Sequence, residues 1–324
     1  MKRKGQQKLR KERGKETGGE GLGALVILQQ MAVIAILVAI GIYLHRSAKL
    51  DEHSESQLSA IVMDVVNPAL ILSIVISGEV EASHRELITA LGISAAFYAV
   101  LIFLGILLPN LMRIEAEKQK FFNMMIVYTN VGFIGIPVGR AVLDGNGMLY
   151  VIVCNMMYSL LFYTHGIVTL AGKGEKISLR KILSPGTLAA ILTLVFAWYR
   201  VSLPELVSSS ITYIGNATIF LSMALLGTSV AKYSFTSCLK EKKLWLYILI
   251  RMMVIPFLLV WILRMLGFQR EIVRAFCFLA LMPVANLPLI QAEKIGEDTG
   301  LLSKGIALTT ICSFATVTLF MSII

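Results

Sequence analysis

Two segments combine residues that could bind a polar ligand inside otherwise apolar surroundings. The first reads Tyr128, Thr129, Asn130, Val131, Gly132, Phe133, Ile134, Gly135, Ile136, Pro137; the second reads Met282, Pro283, Val284, Ala285, Asn286, Leu287, Pro288. Glycine and proline weaken a helix, and each proline removes one backbone N–H and frees a carbonyl. In hydrocarbon such groups cannot stay unsatisfied, so this backbone must be packed in protein or line a polar cavity. Half-helix N-termini expose N–H groups and partial positive charge, which attract an anion. Asn130 and Asn286 would add amide donors to a carboxylate without a buried cation. The expected binding residues are Asn130, Gly132, Gly135, Pro137, Pro283, Asn286 and Pro288.

Other polar groups interrupt the apolar runs. Asp64, Asn67 and Pro68 share one run. An ionisable side chain at a bilayer centre costs roughly 2.5–3.5 kcal/mol, which marks function or a partner. Asp64 is therefore either a coupling site for a proton or sodium ion, or a residue reaching the interface near Ser54–Ser59. Asn67, Asn155 and Thr310 are candidates to line a path, and His165, Thr309 and Ser313 either line it or bond between helices. Arg251, with Lys242 and Lys243 nearby, reads as an anchor at a membrane surface.

The elements that must carry these residues are membrane helices. The 324 residues are 56% hydrophobic and 15% charged, with mean hydropathy +0.76, well outside soluble usage of about 25% charged. Ten apolar segments stand out, at 24–44, 58–77, 87–109, 121–143, 147–171, 186–203, 211–231, 243–266, 272–292 and 301–323. Each is near the roughly 20 residues needed to cross a bilayer. The run 24–44 exceeds a signal-peptide core and lacks a cleavage site, so it is the first span.

Pro137 and Pro288 each fall 16 residues into their segments, the fourth and the ninth. A device that recurs five spans later predicts two five-helix repeats, and an odd number of spans inverts the second copy. The expected fold is all-α and polytopic, with ten transmembrane helices as two inverted repeats and proline-broken helices 4 and 9 crossing. Its divisions are a basic, disordered tail at 1–22, repeats at 23–172 and 186–324, and a cytoplasmic connector at 173–185.

Eight of the 30 Lys and Arg residues lie between Lys2 and Lys15. The others favour the loops after the odd-numbered spans, which places those loops in the cytoplasm and both termini outside. The net charge of +10 is thus spent on topology, and no nucleic-acid partner is expected. Cys154, Cys238, Cys277 and Cys312 have no CxxC spacing, and no metal site or cofactor is indicated. A phosphate-loop pattern is absent, as are His-Glu-x-x-His and Gly-x-Ser-x-Gly, which argues against ATP-driven and enzymatic functions.

In this order the residues are specific: Asn67-Pro68-Ala69-Leu70, Asn130 through Gly135 with Pro137, Leu225-Leu226-Gly227, Arg251 with Pro256, and Met282-Pro283 through Pro288. The chain resembles the auxin efflux carrier family, bacterial malate and malonate permeases included, from about Leu22 onward. The resemblance implies an elevator-type secondary carrier for a small organic anion in the cytoplasmic membrane. Spans 1, 2, 6 and 7 would form a scaffold, spans 3–5 and 8–10 a moving domain, and the carrier a homodimer through its scaffold. It also implies that the asparagine seven residues before the first crossover proline, here Asn130, contacts the substrate carboxylate. Two departures from the pattern are the basic tail and Ile219-Phe220, which stand where a proline like Pro68 is expected. A receptor that binds the anion without moving it is the alternative.

Overall fold

The computed structural model describes residues 29, 32–78, 83–143, 146–171, 183–231 and 241–324. The basic tail, most of the connector at 173–185 and Cys238 lie outside the described residues. What is described is helical, with one isolated β-bridge and no strand among the described residues. Among the described residues, six helices are long and apolar enough to cross a membrane: α2 (His53–Ile76), α3 (His84–Leu111), α6 (Gly147–Leu170), α8 (Glu205–Thr228), α9 (Lys242–Met265) and α12 (Gly300–Ile323). Shorter apolar helices are α1 (Ala32–Arg46), α5 (Val131–Val142) and α7 (Pro185–Tyr199). The remaining helices are α4 (Ala116–Val127), α10 (Arg270–Ala280) and α11 (Leu287–Lys294).

The fourth and ninth apolar segments are thus each broken in two. With 12 residues, α4 rises only about 18 Å, short of the roughly 30 Å hydrocarbon core. The first break is Tyr128–Asn130, seven residues before Pro137, and the second runs from Leu281 to Asn286 with Pro283 inside it. Pro288 is instead the second residue of α11, where a missing N–H costs little, and Pro137 lies inside α5 as its seventh residue.

Proline has a second effect in this fold. Wide, π-helical turns at Val62–Val66, Val131–Gly135 and Ile250–Val254 each precede a helix with proline as its second residue: Pro68, Pro137 and Pro256. A proline ring collides with the carbonyl four residues back and supplies no N–H, so the preceding turn opens. The residue before each proline then bonds five residues back: Asn67 to Val62, Ile136 to Val131 and Ile255 to Ile250. Such turns recur at functional sites, and these hold Asp64 and Arg251 and start at the Asn130 cap.

The core surrounds the breaks. Residues Phe121–Val127 of α4, Gly147–Met156 of α6 and Ala275–Ala280 of α10 are buried without interruption. Large apolar residues such as Phe103 of α3 and Phe257 and Trp261 of α9 face outward, as on a surface solvated by lipid. On one flank α2 packs against α7 and α8. There α1 meets α8 backbone to backbone: a β-carbon on Gly227 would overlap the Val38 carbonyl, and one on Gly41 the Ala224 carbonyl. Small residues permit this approach where no hydrophobic force drives helices together.

Candidate functional site

At the breaks the chain makes hydrogen bonds that no helix supplies. Thr129 and Val284 form an antiparallel bridge. On either side, the Asn130 N–H donates to Pro283 O at 2.7 Å and the Ala285 N–H to Tyr128 O at 3.1 Å. The Val284 N–H donates to Thr309 Oγ1 of α12 at 3.0 Å, and that hydroxyl donates to Gly305 O at 2.7 Å. Each break thus satisfies the backbone of the other, the condition for irregular chain within a membrane.

Asn130 caps α5: its Oδ1 accepts the Phe133 N–H at 3.1 Å. Because the oxygen is engaged, the amide Nδ2 is the donor left for a ligand. Asn286 immediately precedes α11, and its carbonyl accepts the Ile290 N–H at 3.0 Å. From this crossing point α5 and α11 therefore begin, and α4 and α10 end there.

Three sequence candidates come together beside Asn130. A β-carbon on Gly132 would lie 3.0 Å from Asn155 Oδ1 and 3.6 Å from Asn67 Nδ2, so amides of α2 and α6 converge on a position where a side chain fits only if the Asn155 amide shifts. Asn67, Asn130 and Asn155 are each only 7% exposed, and Asn67 Oδ1 has no hydrogen-bond partner. Buried amides normally find partners. Gly135 packs on the Asn130 carbonyl and on Met282 Sδ of the second break, at 3.4 and 3.6 Å from its would-be β-carbon. Thr310 is buried on α12 with its hydroxyl unpartnered, next to Thr309. Pro137 and Pro288 are buried and Pro283 supplies the carbonyl at the crossing. Asp64 is not part of this group: it is exposed on the wide turn of α2.

A small, half-open cleft lies beside the crossing. Its walls are Ile34 of α1 and Leu226 of α8 on one side, and Ile134 and Val138 of α5, Met282, and Ser313, Phe314 and Val317 of α12 on the other. It is mostly apolar and lies on the seam between the α1–α8 flank and the broken helices.

Arg251 corrects the sequence reading. It is not a surface anchor but 1% exposed, and its Nη1 donates to the carbonyl of Ala280, the last residue of α10. One turn earlier on α9, Tyr247 Oη donates at 2.8 Å to Met125 O in the last turn of α4. The sequence signal was a Tyr and an Arg four apart in an apolar run, obscured by Lys242 and Lys243. Tyr128 also bonds His165 Nδ1 and Leu161 O from its hydroxyl, both at 2.9 Å, which ties α6 to the first break.

A multi-pass helical membrane protein whose two broken helices bridge each other has the architecture of a transport protein. A family profile described as membrane transport protein matches residues 26–321, and the chain belongs to that family, the auxin efflux carrier family its motifs resemble. It is 23% identical over 312 residues to an uncharacterized transporter of Methanocaldococcus jannaschii, covering 91% of this chain and 98% of that one. An uncharacterized transporter of Methanothermobacter thermautotrophicus is likewise 23% identical over 298 residues, 89% of this chain and 95% of the relative.

Proposed function

We propose that this transporter is a secondary carrier for a small organic anion, a carboxylate, and that the crossing of the broken helices is its binding site in the cytoplasmic membrane. The observation that carries the reading is the Thr129–Val284 bridge, which gathers the starts of α5 and α11 around the free Asn130 amide. Two helix N-termini and an amide donor suit a carboxylate better than a cation. Asn67, Asn155 and Gly132 would complete the polar side of the site, with Gly135, Pro137, Pro283, Asn286 and Pro288 shaping its backbone.

The order of elements supports ten spans in two inverted repeats. Taken in sequence, α1 to α6 run short, long, long, broken, long, and α7 to α12 repeat that order. With five crossings per repeat, the second copy is inverted. The packing of α1, α2, α7 and α8 supports a scaffold against which α3–α6 and α9–α12 would move as an elevator, and the family resemblance adds a homodimer through that scaffold. Asp64, exposed on α2 one turn before Asn67, remains the candidate for proton or sodium coupling.

Uptake into liposomes by the purified protein tests the reading, with labelled malate, malonate, indole-3-acetate and a neutral amino acid under separate proton, sodium and potential gradients. Saturable uptake of one of the acids is expected. Ligand binding without flux would convert the carrier into a receptor, and uptake of the neutral compound alone would refute the anion site.

A further inference from the structure

Four half-helix ends meet at the crossing. Helix N-termini carry about half a positive charge and C-termini about half a negative one. Two of each would nearly cancel, leaving the Asn130 amide as the site's main preference for an anion. The structure removes that balance through α9. Tyr247 Oη donates to Met125 O in the last turn of α4, and Arg251 Nη1 donates to Ala280 O at the end of α10. Each C-terminal end therefore has a donor from the same face of one helix, while the starts of α5 and α11 receive none from it.

The two donors are not equivalent. Tyr247 brings a neutral hydroxyl, whereas a guanidinium keeps its proton in proteins and brings a full charge. Arg251 is 1% exposed, no described carboxylate pairs with it, and its Nε and Nη2 have no hydrogen-bond partner. Tyr98 of α3, within its electrostatic reach, also has an unpartnered hydroxyl. A buried, half-satisfied charge is costly, and the end of α10 offsets only part of it. If capping α10 were the whole task, a neutral donor such as that of Tyr247 would serve.

We infer that Arg251 is a positioning residue that sets the charge preference of the transport site. It over-compensates the negative end of α10, and the resulting positive potential at the crossing selects an anion that Arg251 does not touch. The inference rests on the crossing being the substrate site.

The test compares acids with their neutral amides. Affinities of malonate, malonamide, indole-3-acetate and indole-3-acetamide are measured for the full-length protein in nanodiscs, for wild type, Arg251→Gln and Arg251→Lys. Gln carries no charge and, two bonds shorter than Arg, no longer reaches Ala280 O, so loss of the cap is common to acid and amide and only the loss of charge separates them. It should weaken the bound acid by about tenfold or more and leave the amide within about threefold, whereas Lys should keep the wild-type preference for acid. Equal loss of acid and amide in Arg251→Gln would overturn the inference and leave the anion site standing, because a merely structural cap affects both. Binding of neither acid by the wild type would overturn the site and the inference together. Should Arg251→Gln not fold, Arg251→Lys decides: a retained acid preference supports the inference and a lost one refutes it.

Discussion

Thr129 and Val284, far apart in sequence, pair across the two chain breaks in an antiparallel bridge, and the bonds beside them run from the Asn130 N–H to Pro283 O and from the Ala285 N–H to Tyr128 O. The crossing is therefore held mainly by backbone, joined by the Thr309 hydroxyl that accepts the Val284 N–H.

Removing a backbone donor should undo it. Ala285→Pro deletes the N–H that serves Tyr128 O and leaves a buried carbonyl unsatisfied, at a cost of about 1–3 kcal/mol. A lower thermal midpoint in detergent and loss of uptake are expected, while Ala285→Ser keeps the N–H and should behave close to wild type. Equal midpoints for the proline and serine variants would contradict the role of this bond.

Asn130 has two functions that different substitutions separate. Asn130→Ala removes the cap on α5, worth about 1 kcal/mol, together with the free amide donor. Asn130→Asp keeps an acceptor for the Phe133 N–H but places negative charge where the anion is proposed to bind. Stability close to wild type with abolished anion uptake is the outcome for Asp, and both properties fall for Ala. Wild-type uptake by Asn130→Asp would remove Asn130 from the site.

How much of this was legible in the sequence depends on range. The Asn130 and Pro283 segments announced broken helices because glycine and proline act on their own neighbours. Pro68, Pro137 and Pro256 reported a local effect too, the widened turns before them. The position of the first break was not legible: Tyr128–Asn130 is held open by residues of the other break, a contact that local propensity does not encode. Arg251 was misread for a similar reason. Its flanking lysines suggested an interface, and only the end of α10, supplied by a distant segment, explains why the charge is inside. The convergence of Asn67 and Asn155 on Gly132 likewise joins three helices, so spacing along the chain carries no trace of it.

Gly132→Ala probes that convergence. Its methyl would lie 3.0 Å from Asn155 Oδ1, tight enough to push the amide aside but not to unfold a helix. The expected result is a several-fold rise in the KM for the transported acid, with a change in thermal stability below about 1 kcal/mol. An unchanged KM would mean that Asn155 does not contact substrate.

Gly227→Ala tests the flank opposite the crossing. The added methyl would overlap the Val38 carbonyl and crowd Gly41, and both obstacles are backbone that cannot rotate away. Relief requires α1 and α8 to separate, at a cost of about 1–3 kcal/mol as in other overpacked contacts. The thermal midpoint in nanodiscs should drop, while the acid-over-amide binding preference stays as in wild type because Gly227 lies outside the crossing. A midpoint equal to wild type would show that α1 and α8 do not pack this closely in the membrane. A lost preference would instead place the α1–α8 contact within the binding site.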